Sequence, residues 1–214
     1  MSLTPAGEKK TFINVQGKVE ENNVCFRQVV PEGTPGAKLR KYETSDGTKG
    51  EKWELWYKEV GGRIVNVHFY DGDYGKNLII TIDAGLEEPV ELSLGVQTKY
   101  GEDLLRKLPN IDFNKDVVLS PYGFESEGRT LQGMTVQQDG AKLANAYTKK
   151  NEDGTFEYML DMPEPADDTK DSDDWKMYFM QARKHMINYT EENIVSQFMS
   201  EANAVAEPEE EEEF

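Results

Sequence analysis

Between residues 11 and 147 the apolar side chains recur mostly at every second position, in short segments cut by Gly, Pro, Asn and Asp. Side chains of a strand alternate between two faces, so this period calls for a sheet and leaves little room for helix. The segments are Thr11–Val15, Val24–Val30, Leu39–Glu43, Lys52–Val60, Arg63–Tyr70, Leu78–Asp83 and Val90–Val96. Pro31–Gly36, Ser45–Thr48 and Asp71–Gly75 read as turns between them. Gly61-Gly62 is predicted to close a tight hairpin, because glycine accepts the positive φ that such turns require.

The period changes once inside this region. Lys99–Leu108 reads as a short helix ended by Pro109-Asn110. Val117–Ser120 and Thr130–Gln137 return to strand, and Asp153-Gly154 turns a further hairpin between Leu143–Tyr147 and Thr155–Leu160. Several strands, one short helix and more strands after it fit a mainly β (α+β) domain. The expected architecture is an OB-fold-like Greek-key barrel of five to six strands, with extra N-terminal strands and a C-terminal helical pair. Residues 10–45 have no assigned place in that barrel.

Charge divides the chain more sharply than hydropathy does. The formal net charge is −17, yet residues 1–150 hold 20 Lys and Arg against 22 Asp and Glu, while residues 151–214 hold 4 against 19. Asp161–Asp174 carries seven acids and two prolines and reads as an extended, solvated linker. Asp173-Asp174 would start a helix to about Ile187, and Thr190 would cap a second from Glu191 to about Ala204. The expected division is a β domain over 1–160, a linker over 161–174, a helical pair over 175–204 that packs on the body or a partner, and a disordered acidic tail over 205–214.

Other classes are disfavoured. No apolar run approaches the ~20 residues of a membrane span, and Met1–Pro5 lacks a secretory signal pattern. A single cysteine, Cys25, forbids an intrachain disulfide and suits the reducing cytoplasm. Two histidines (His68, His185) and one cysteine leave little for zinc. Asp71-Gly72-Asp73 looks like the start of a calcium loop, but the twelfth position is Ile82. Neither a metal nor a cofactor is expected, and no residue set singles out an enzyme.

A binding face is better supported. Alternation places Trp53, Leu55 and Tyr57 in the core and turns Lys52, Glu54, Trp56 and Lys58 outward; on the next strand it buries Val65, Val67 and Phe69 and leaves Asn66, His68 and Tyr70 outward. Arg63, Tyr74 and Lys76 lie nearby, Tyr122 and Phe124 sit in a later turn, and Lys38, Arg40, Lys41 and Lys49 add positive charge. Aromatic rings among cations suit single-stranded nucleic acid, whose bases stack at about 1–3 kcal/mol each while cations follow the phosphates.

The chain ends Glu209-Glu210-Glu211-Glu212-Glu213-Phe214. Consecutive acids stopping at a lone aromatic resemble the C-terminal tip of bacterial and phage single-stranded-DNA-binding proteins, and the whole is similar to the phage type: an OB-fold body with an acidic tail. The resemblance rests on about eight residues. Glu213 stands where the bacterial tip has Pro, and the Asp-rich linker departs from the bacterial Gly/Gln/Pro-rich one. It implies sequence-nonspecific binding of single-stranded DNA in phage replication or recombination. It also implies that the glutamates and Phe214 recruit partner proteins and compete with DNA. A monomer or homodimer is then expected in place of the bacterial tetramer. Two other readings stand beside it, an acidic DNA-mimic inhibitor and a structural β module.

Overall fold

The computed structural model describes residues 10–44, 46–73, 75–166, 169 and 171–199. Four strands come first: β1 (Thr11–Gln16), β2 (Cys25–Val30), β3 (Lys38–Glu43) and β4 (Lys49–Tyr57). A meander of β5 (Val60–Gly72), β6 (Gly75–Asp83) and β7 (Val90–Gly95) leads to helix α1 (Lys99–Leu105) and a 3-10 turn at Leu108–Asn110. Then come β8 (Asp116–Ser126), β9 (Arg129–Gln138) and β10 (Ala141–Lys142), followed by the small ribbon β11 (Thr148–Lys150) and β12 (Phe156–Tyr158). Helix α2 (Ser172–Thr190) runs directly into a π-helical segment, Glu191–Val195.

The protein is mainly β, and β1–β10 form one mixed sheet in the order β10-β9-β8-β5-β6-β7-β1-β2-β4-β3. Every pairing is antiparallel except that of β1 with β7, where Ile13 lies opposite Leu92. The N-terminal strands β1–β4 thus extend the β7 edge, and with the short β10 at the other end the sheet reaches ten strands, in place of the expected barrel of five or six with extra N-terminal strands. Among the described residues no strand pairing joins β10 to β3, so the sheet is open. It nevertheless curls. Gly123 of β8 sits against the β1–β2 loop, where a Cβ would lie 2.8 Å from Val19 Cγ2 and 2.9 Å from Val24 Cγ2.

Several local expectations fail for identifiable reasons. Gly61-Gly62 turns no hairpin: both glycines lie inside β5, paired to Val118 and Val117 of β8. Gly62 has φ +144°, and a Cβ there would strike the Asp83 carbonyl, so glycine lets β5 pass close to its neighbour. Consequently β4 and β5, consecutive in sequence, are not paired and are separated by β6, β7, β1 and β2. The β5–β6 register shifts between Ile64 and Asn66. That bulge turns both Ile64 and Val67 inward and leaves Val65 exposed, against the expected simple alternation. On β4, Trp53 and Leu55 are only half-buried and Tyr57 is exposed, while Glu54 is the most buried residue of the strand. Thr190 caps nothing; it has helical dihedrals (φ −66°, ψ −42°) and the helix continues through it.

The main core is laid down by β6, whose Leu78, Ile80 and Ile82 are fully buried. They meet Ile64 and Val67 of β5, Leu92 and Leu94 of β7, Ile13 of β1 and Phe26 of β2. Leu104 and Leu105 of α1 close one end, and Thr98 caps that helix by accepting a hydrogen bond from the Gly101 amide. Ile194 and Val195 of the π segment enter the same core. A second, smaller core joins Ala146, Tyr147 and Met162 to Ala182 and Met186 of α2. Met162 therefore anchors the start of the acidic stretch. Among the described residues no helix is long and apolar enough to cross a membrane.

Candidate nucleic-acid interface

The edge of the sheet formed by β2, β4 and β3 carries an unusual polar face. Register places Arg27 opposite Trp56, Lys38 opposite Glu54 and Arg40 opposite Lys52, so these side chains all project to one side. Glu54 lies beneath them, only 1% exposed, and accepts from Arg27 Nη1 at 3.3 Å and from Arg40 Nε at 2.7 Å. Such a triad is expensive to desolvate and survives because its members share hydrogen bonds. The Arg27 Cζ lies 4.2 Å from the centre of the Trp56 ring, and Lys38 Nζ, from the strand on the other side, lies 4.4 Å from it. Contacts of this kind contribute about 0.5–2 kcal/mol each. Lower on the same face, Lys52 Nζ sits 5.1 Å from the Tyr42 ring.

Above this arrangement opens a cleft of about 490 Å³, walled by Lys18, Glu21 and Asn23 of the β1–β2 loop and by Arg27, Arg40, Lys41 and Trp56. Two of the cations are locally paired, Lys18 with Glu21 at 2.9 Å and Lys41 with Glu51 at 3.2 Å. Arg27 and Arg40 share the single carboxylate of Glu54, which leaves the buried cluster one positive charge in excess.

A second patch lies where the sheet curls back. Tyr122 and Phe124 of β8 have ring centres 6.0 Å apart, and Phe124 is exposed. With Lys107, Leu131 and Lys142 they line a shallow cleft of about 480 Å³. Burial, and then the charge of Asp103, raise the Tyr122 pKa, so the phenol stays neutral. The β1–β2 loop joins the two patches: Val19 and Val24 pack on Gly123, and their loop also walls the Trp56 cleft.

The residues expected to bind do not form one platform. Lys52 and Trp56 belong to the first patch; Tyr122 and Phe124 form the second. Tyr70 is exposed on β5, with four strands between it and the strand of Trp56, so the two do not stand side by side. Arg63 is exposed between Asp83 and Asp116, its partners across the sheet, and Lys58 is exposed in the connection from β4 to β5. Lys76 is committed elsewhere, 3.1 Å from Glu191 of the π segment and 3.8 Å from Asp71. Tyr74, Glu209–Glu213 and Phe214 lie outside the described residues.

Arg27 went unnoticed in the sequence, although a lone charge in the middle of the apolar run Cys25–Val30 was a usable signal. A charge so placed in a strand must find a partner, and here Glu54 supplies it. Among the described residues no group of three or more His, Cys, Asp or Glu side chains is placed to hold a metal ion. No family model, curated protein or solved structure matches this chain.

Proposed function

We propose that the protein binds single-stranded DNA without sequence preference, through the cationic β2–β4–β3 face and the neighbouring β8–β9 patch, in phage replication or recombination. The observation that carries this reading is the Trp56 cleft. In a chain of net charge −17, four of its walls are Lys or Arg and one is Glu. Phosphates would follow the cations from the cleft across the β1–β2 loop, and bases would stack on exposed rings such as Phe124. The β5–β6–β7 meander also supports an OB-like module: α1 follows it, and β8 returns antiparallel to β5, a connectivity in keeping with that fold. The N-terminal strands are then an addition on the β7 edge. The acidic end with Phe214 acts as a tethered competitor for the cationic face and as the recruiting tip for partner proteins.

Titration with oligo-dT, followed by tryptophan fluorescence at several salt concentrations, tests the reading. The affinity should fall with salt at a log–log slope of roughly −0.7 per phosphate contact. Removing residues 207–214 should strengthen binding and abolish partner recruitment. Absence of salt-sensitive binding both with and without the tail would overturn the reading and favour an acidic mimic.

A further inference from the structure

The sequence offers Trp56 as a stacking surface for a base. The structure places Arg27 and Lys38 over its ring, one from each flanking strand, so cations already cover it. Its remaining asset is the indole N–H. Trp56 Nε1 is buried and has no hydrogen-bond partner among the described residues, and the same holds for Arg27 Nε. Arg27 is only 6% exposed, yet it lines the cleft. Unmade hydrogen bonds at buried donors are costly, about 1–3 kcal/mol each and more at a charged group. Two such donors from side chains in mutual contact, beside an excess positive charge, define a place for an oxyanion. Lys18 and Lys41 stand on the walls, and the space of about 490 Å³ admits a tetrahedral group with room for the chain on either side.

We propose that this cleft seats one phosphate group, whose oxygens accept from Arg27 Nε and Trp56 Nε1 while Arg40 and Lys38 supply charge. The seat deepens the single-strand reading and rests on it for the source of the phosphate, a phosphodiester of the bound strand. Glu54 acts as a positioning residue: it turns both guanidinium groups toward the cleft without touching the anion. Trp56 acts as a donor and a support for cations, and stacking falls to other rings.

The test uses the full chain, labelled with 15N, and reads the Trp56 indole N–H resonance, which Trp56→Phe identifies by its disappearance. Oligo-dT and inorganic phosphate are titrated separately. In parallel, the salt dependence of oligo-dT binding is measured for the wild type, Trp56→Phe and Arg27→Lys. Trp56→Phe keeps an aromatic ring and removes the indole N–H, Arg27→Lys keeps the charge and removes the Nε–H together with the guanidinium fork, and each variant guards against a folding defect in the other. A shift of the indole signal with oligo-dT and a loss of affinity on the order of tenfold in either variant, with the salt slope held because each variant keeps its positive charges, support the seat. A shift with inorganic phosphate and none with oligo-dT supports an anion seat but overturns the strand as its source. Binding of oligo-dT with an unmoved indole signal and an affinity unchanged in both variants overturns the seat and leaves the single-strand reading standing. Silence toward both ligands overturns both.

Discussion

The two ends of the described chain are attached to the same sheet by opposite physics. The β2–β4–β3 edge is organised around buried ions, with Glu54 beneath Arg27 and Arg40. Helix α2 is attached by apolar and aromatic packing, with Ala182 and Met186 against Tyr147 and Met162. Aromatic rings occur in both places but do different work. At the N-terminal edge the Trp56 ring supports cations. On α2 the rings stack on one another, Trp175 on Phe179 at 5.8 Å. The acids of the α2 start, Asp171, Asp173 and Asp174, serve its N-terminal cap and dipole. The overall charge of −17 therefore conceals a positive site at one end and, at the other, a helix whose acids are gathered at its capped first turn.

The largest effect should come from the ionic end. A buried ion pair is weak evidence for stability in itself, but removal of one partner leaves a bare charge in a dry place and costs about 3–5 kcal/mol. Glu54→Gln strands two guanidinium groups at once. Its melting temperature should fall on the order of 10 °C for a chain of this size, read by thermal unfolding at neutral pH. An unchanged melting temperature would show that the triad is solvated and that the edge is not built on it.

That triad also marks the boundary of what the sequence discloses. The β6 alternation of Leu78, Ile80 and Ile82 was plain and is the core. The short helix after the meander was equally plain, because its period differs from that of its surroundings. Pairing was not legible: nothing local announces that β1 joins β7 in parallel or that β4 inserts between β2 and β3. Gly61-Gly62 was misread for the same reason, since glycine serves a close strand crossing as well as a turn. The site followed the fold in this. Trp56 and Lys52 were found by their types, whereas Arg27 acquires meaning only from the strand opposite it, and Tyr70 loses its assumed neighbour.

A somewhat smaller effect is expected at the apolar end. Met186 is 1% exposed and fills the second core. Met186→Ala should cost about 2–5 kcal/mol through lost burial and the cavity left behind. The sharper expectation concerns where that loss is felt. Amide exchange should rise in α2 and around Tyr147 while β2 and β4 keep their protection, because the two regions share no side-chain contact through this core. Uniform loss of protection would mean that the ends unfold as one and that the contrast between them is one of chemistry alone.

The smallest effect lies at the ionic contact that ties α2 to α1. Glu102 accepts from Arg183 of α2 at 2.9 Å and also pairs with Arg106, the residue that caps the C-terminal end of α1. Burial alone would raise its pKa. The hydrogen bond from Arg183 and the charges of Arg106 and Arg183 outweigh burial and hold the pKa below the usual value of 4.5. A carboxylate depressed in the folded state contributes stability that is fully present above its unfolded pKa and is lost as pH falls through the folded one. The contact should thus hold α2 at neutral pH and loosen only below about pH 4.5. Glu102→Gln removes the charge at every pH. At neutral pH it should cost about 1.5–3 kcal/mol, the range for hydrogen bonds to charged groups, and it should flatten the acid limb of the stability curve. Since Glu54 and its partners lie at the far edge of the sheet, the variant should leave the Trp56 indole signal where it is. Movement of that signal would show that the helix and the cationic edge are coupled through the sheet, and the two ends would then have to be treated as a single device.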